Sequence, residues 1–197
     1  MKKTTSKQDV IKALRAAAAK LEKAEAGGTR VKARSGDGKV FIGAAIAPTL
    51  GAWIKPDSDE DTLVEQIDQV LEKIRAREPD AEDWIIAAYD DFPNLGENPS
   101  LENLADVAAA LEKHDRKIVE AALDFAGGDI KDALKMVDQG YSVYDSEADY
   151  AEKYVEDVGI NNIKNLDWYL DFEKLGRDLI QDESYASLGG NRVVIWG

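Results

Sequence analysis

The chain separates its charge along its length, and this limits how it can fold. Residues 1–39 hold 11 Lys/Arg against 4 Asp/Glu, a net of +7, whereas residues 40–197 hold 14 Lys/Arg against 35 Asp/Glu, a net of −21. A body with that surplus repels itself when compact. It folds through elements that turn apolar side chains inward and carboxylates outward. The hydrophobic share of 44% is enough for such cores and excludes a disordered acidic tail. Nucleic-acid binding by the body is disfavoured by its charge, while basic surfaces, including those that hold DNA, attract it.

The chain has no cysteine, which excludes a disulfide scaffold and thiolate metal sites and fits a reducing compartment. No segment approaches the roughly 20 apolar residues of a membrane span. The run Ala16–Ala19 is small and is broken at once by Lys20, so the basic start is not a signal peptide. A soluble, cytoplasmic protein is expected.

Apolar spacing divides the chain into short elements. Residues 6–24 predict a helix capped by Ser6, with Val10, Leu14, Ala17, Ala18 and Leu21 on one face. A basic, glycine-containing linker or hairpin follows over 29–39. Val40–Ala47 reads as a strand turned by Pro48 and Gly51, 59–76 as a helix, and Asp83–Phe92 as a second strand. Ser100, Asp115 and Asp129 each cap a short helix, with Gly127–Gly128 and Gly140 as stops. Tyr141–Tyr144 can be a strand, and Ser146 caps a helix that ends at Gly159. A further helix is expected over 166–181, and Ser184–Trp196 reads as a hairpin through Gly189–Gly190. The fold class is α+β, an elongated tandem of small domains. A basic helix and linker (1–39) precede an α/β domain (40–97), a helical domain (98–140) and a C-terminal α/β domain (141–197).

Acids recur at helical spacing. Asp61, Glu65, Asp68 and Glu72 share one face of the 59–76 helix. At a rise of about 1.5 Å per residue they span about 16 Å, and four carboxylates in that length approach the spacing of phosphates on one DNA strand, one per roughly 3.4 Å. Asp149, Glu152 and Glu156 repeat the pattern, as do Asp167, Asp171, Asp178 and Asp182 around Lys174; Asp90, Asp91, Asp145 and Asp157 add to it. One such stripe is an ordinary solvated face. Solvated faces usually mix signs, however, because like charges one turn apart repel. Three stripes of one sign on separate elements point to selection for negative potential.

Catalytic patterns are missing. His114 is the only histidine, beyond a charged helix end, and reads as an exposed surface residue. No phosphate-binding glycine loop, dinucleotide fingerprint or nucleophile elbow occurs. Asp90–Asp91 could hold a divalent cation or act as acid and base, but among 39 acids adjacent pairs arise by chance. Trp84, Trp168 and Trp196 read as core or subunit contacts. Three uses stay open for residues 1–39: touching DNA, folding back on the acidic body, or serving as a soluble arm.

The segment LDWYLDFEKLGRDL (166–179) resembles the C-terminal signature of the ArdA antirestriction family. There an aromatic, an aliphatic, Asp and an aromatic precede a small residue and Arg-Asp-Leu; here these are Tyr169, Leu170, Asp171, Phe172, Gly176, Arg177, Asp178 and Leu179. VFIGAA (40–45) with Gly51-Ala52-Trp53, DWIIAAYDDF (83–92) and YSVYDSEADYAEKYVEDVG (141–159) resemble further family segments in the same order. Ala87 and Ala88 stand where the family usually has His-Asp, the loop around Pro48 is short, and 1–39 has no counterpart. The resemblance implies a non-enzymatic inhibitor without cofactor or metal. Such an inhibitor is a homodimer through its C-terminal domain that imitates DNA in the groove of type I restriction-modification enzymes, at their methyltransferase core. Arg177 and Asp178 would serve structure or the dimer, Arg177 pairing with Glu173 one turn back. The alternatives are a DNA mimic aimed at a nucleoid protein, repressor or CRISPR effector, and a carboxylate–metal hydrolase.

Overall fold

The computed structural model describes residues 38–159 and 170–197. The helix expected over 6–24 and its linker lie outside these residues, as do Asp167, Trp168 and Tyr169. The described chain is mixed α+β, with six helices and two three-stranded antiparallel sheets. Residues up to Gly140 form one compact unit, and those from Tyr141 form a second.

The first sheet is built on β1 (Lys39–Ala44), which lies between β2 (Ala47–Ile54) and β3 (Trp84–Asp90). Val40 pairs with Ile54 on one side and Tyr89 on the other, and Ile42 with Ala52 and Ile86. Side chains alternate across a strand, so Val40, Ile42 and Ala44 share one face, and all three are fully buried. Helix α1 (Glu60–Arg75) contributes Leu63, Ile67, Val70, Leu71 and Ile74 to the same core. Burying each of these is worth about 1.5–3 kcal/mol. Like-charge repulsion along the opposite face costs only about 0.2–0.5 kcal/mol per pair, so the helix tolerates an acidic stripe.

The expected turn at Pro48 and Gly51 is corrected. The chain turns at Ala45–Ile46, and Pro48 and Gly51 both lie inside β2. β2 is an edge strand, where proline's missing N–H is tolerated. Gly51 is opposite Gly43, and a Cβ on it would sit 1.9 Å from the Ile42 carbonyl oxygen. Glycine there allows the close approach of the two strands and does not mark a turn.

Three short helices complete the first unit: α2 (Leu101–Lys113), α3 (Arg116–Phe125) and α4 (Ile130–Gln139). Each starts as the sequence predicts, with the side chains of Ser100, Asp115 and Asp129 accepting from the backbone N–H of Asn103, Lys117 and Asp132. Gly128, at φ 89°, ends α3 by donating its N–H to the Leu123 carbonyl at 2.8 Å. Leu104, Val107, Val119, Ala122, Ala133 and Val137 are buried among these helices.

In the second unit the strand order is β4 (Tyr141–Tyr144), β6 (Arg192–Trp196), β5 (Tyr185–Gly189). Helix α5 (Glu147–Asp157) and helix α6 (Phe172–Ile180) add Tyr150 and Ile180 to a core with Tyr144, Val193 and Ile195. The helix expected over 166–181 is corrected at its start. Leu170 and Asp171 are not helical, and Asp171 is the extended N-cap, its carboxylate accepting from Lys174 N–H at 3.1 Å. Gly176 faces the start of α5, where a Cβ would lie 2.1 Å from the Glu147 carbonyl oxygen.

Candidate functional site

Acids placed outward by these elements form the candidate surface. On α1, Asp61, Glu65, Asp68 and Glu72 are all exposed, and the five apolar residues of the same helix are buried. None of the four forms an ion pair with a described residue. Asp59 caps this helix, accepting from Thr62 N–H at 2.9 Å and Thr62 Oγ1 at 2.8 Å. The backbone hydrogen bond and then the hydroxyl hold its carboxyl below the usual Asp value. Arg75, which follows the stripe, donates Nε–H to the Ala81 carbonyl at 2.9 Å.

The second stripe is arranged differently. Asp149, Glu152, Glu156 and Asp157 are exposed on α5, but only Glu152 among them has no described partner. Lys153 Nζ lies 2.9 Å from Glu156 and 3.2 Å from Asp157. These two hydrogen bonds raise the Lys153 ammonium above its ordinary value. Asp149 donates its N–H to Ser146 Oγ and accepts from Asp145 N–H at 3.1 Å. It therefore works as part of a cap as well as a charge. Asp145 is exposed, 3.8 Å from Arg192 Nε. In the third set Asp171 is the cap of α6, while Asp178 and Asp182 are exposed.

Asp90 and Asp91 are both exposed at the end of β3, yet they do not act as a pair. Asp91 takes the left-handed backbone conformation, φ 53°, and binds Arg116 Nε at 2.9 Å. Among the described residues no group of three or more His, Cys, Asp or Glu could hold a metal ion.

Two further expectations change. His114 is only 18% exposed, at the end of α2, with Nε2 3.8 Å from Asp138 Oδ1; the fold of the short helices covers it. Arg177 does not meet the Glu173 carboxylate. Its Nε donates to the Glu173 backbone carbonyl at 3.3 Å, one turn back on α6. Of the remaining signature residues, Leu179 packs against the C-terminal core and Gly176 is buried, while Leu170 and Phe172 are half-buried. Trp196 is buried against Tyr141, and Trp84 is half-buried.

The caps at Ser146–Asp149 and the Lys153 pairs follow from local spacing, three and four residues apart. The Asp91–Arg116 pair joins residues far apart in sequence and had no local signal.

A model of the ArdA antirestriction proteins matches residues 48–191. The chain belongs to the ArdA family of antirestriction proteins. The match starts within β2 and ends in the turn between β5 and β6, so it takes in α1, every described helix and the Gly176-Arg177-Asp178-Leu179 signature. β1 and the basic segment 1–39 precede it. No curated protein matches the chain. No helix among its described residues is long and apolar enough to cross a membrane.

Proposed function

We propose that this ArdA-family protein blocks type I restriction-modification enzymes by occupying the DNA groove of their methyltransferase core with its own carboxylates. It acts in the bacterial cytoplasm as a homodimer joined through the C-terminal domain. It has no catalytic step and needs no cofactor. The observation that carries this reading is the α1 stripe: four exposed carboxylates over about 16 Å, none paired with a described cation. A DNA groove holds Lys and Arg arranged for phosphates spaced roughly 3.4 Å apart on each strand. A rigid helix can offer charges on a similar scale without the ordering cost of a flexible tail.

The energy is spread over many carboxylates, so no single one is indispensable. Association is fast and weakens as salt screens the charges, over a Debye length of about 8 Å at physiological ionic strength. Neutralising the stripe one residue at a time (Asp61→Asn, Glu65→Gln, Asp68→Asn, Glu72→Gln) should weaken inhibition of a type I enzyme in steps, each change alone having little effect. A folded single variant that abolishes inhibition would contradict a distributed mechanism.

A further inference from the structure

Asp91 stands apart from the other acids of the surface. It directly follows β3 and takes the left-handed region, φ 53°, which residues other than Gly, Asn and Asp seldom adopt. Its carboxylate binds Arg116 Nε at 2.9 Å, and Nη1 of the same guanidinium meets the Glu120 carboxylate. Arg116 is the first residue of α3, directly after the cap Asp115. A helix N-terminus carries partial positive charge, so a cation there works against its own helix. The two carboxylates it joins account for its presence. One of them belongs to the sheet and the other to the helical part of the same compact unit.

The junction between these two parts is packed by buried side chains such as Phe92 and Ala108 and opens to solvent at its rim. A cleft of about 270 Å³ is lined by Phe92 from the sheet side and by Ala108, Leu111 and Glu112 from α2. Polar bonds that cross the junction include Arg116 Nε to the Asp91 carboxylate and Ser58 Oγ donating to Glu112 Oε1 at 3.2 Å.

We propose that Asp91 and Arg116 form the joint that fixes the angle between the sheet and the helical part of the first unit. Asp91 is a positioning residue, and its carboxylate is not one of the phosphate-like charges. The functional consequence rests on the DNA-mimic reading; the structural one does not.

The two roles give opposite signs for Arg116→Gln. That change removes a cation and makes the protein more negative, so an inhibitor that depended on charge alone would inhibit equally or better. The joint predicts inhibition several-fold weaker. It also predicts that Asp91→Asn with Arg116→Gln is no weaker than Arg116→Gln by itself, because the pair is already broken. The chain has no cysteine, so spin labels at Gln69→Cys on α1 and Lys135→Cys on α4, both exposed, report one distance by pulsed electron paramagnetic resonance. The distribution should be narrow in the otherwise unaltered protein and broader with Arg116→Gln, at an unchanged helical circular dichroism spectrum. If that variant does not fold, Arg116→Lys replaces it, since lysine keeps the charge but lacks the fork that reaches both carboxylates. Inhibition equal to or better than the unaltered protein, together with an unchanged distance distribution, would overturn the joint. If the unaltered protein itself does not displace DNA, the mimic reading fails, and the distance measurement still decides the joint.

Discussion

At the scale of single residues, the family signature has a physical explanation at Gly176. The α5 backbone comes so close that a Cβ would meet the Glu147 carbonyl oxygen at 2.1 Å. Relief requires moving backbone, because no flexible side-chain end is in the way. Gly176→Ala is therefore expected to destabilise the protein by roughly 1–3 kcal/mol, the usual cost of overpacking, read from a urea or thermal unfolding midpoint. An unchanged midpoint would mean that α5 and α6 separate freely. The acids also divide by role at this scale. Asp59 and Asp171 are caps, Asp149 supports one, and Asp91 is tied to Arg116. Composition and spacing show where an acid falls on a helix. They do not show whether its oxygens are already engaged by a backbone N–H, as those of the exposed cap Asp171 are.

At the scale of elements, α1 was legible from end to end. Its apolar period, its cap and its acids all indicate the same helix, and the structure places Leu63, Ile67, Val70, Leu71 and Ile74 inward. Its stripe carries a cost in stability. Replacing Glu65, Asp68 and Glu72 together by Gln, Asn and Gln should stabilise the protein by about a few tenths of a kcal/mol for each relieved pair, read as a slightly higher unfolding midpoint, while weakening inhibition. A loss of stability with the loss of inhibition would instead mean that the carboxylates make structural contacts. The β2 turn and the start of α6 were less legible. Proline is tolerated inside an edge strand, and glycine serves close packing as well as turns, so both residues gave an ambiguous signal.

The elements of the second unit also set a pH response. Burial, then the neighbouring Glu183 carboxylate, hold the Tyr150 hydroxyl far above the ordinary phenol value, and it donates to Glu183 Oε1 at 3.0 Å. Burial also raises Tyr144 and Tyr154. A group whose folded pKa is raised contributes stability fully below its unfolded value and loses it as pH rises toward the folded one. This unit should therefore lose stability above about pH 10, the ordinary phenol value, and Tyr150→Phe should reduce that loss. Unfolding midpoints between neutral and strongly alkaline pH, with phenolate absorbance, check this; an identical alkaline decline in the variant would assign it elsewhere.

At the scale of the whole molecule, the signature at 166–179 and the segments before it in family order were enough to indicate the family, and the match over residues 48–191 bears this out. The arrangement within the first unit was not legible, because its sheet and helical part are joined through contacts distant in sequence, such as Asp91 to Arg116 and Ser58 to Glu112. The acidic body has a net charge of −21 over residues 40–197, and in the proposed function this charge substitutes for DNA. The most direct measurement is competition: titrate the full chain into a purified type I methyltransferase core bound to labelled DNA, at low and at high salt. Displacement at a fixed stoichiometry that fades as salt rises is the predicted result. Retention of the DNA at low salt, with the protein folded, would contradict it.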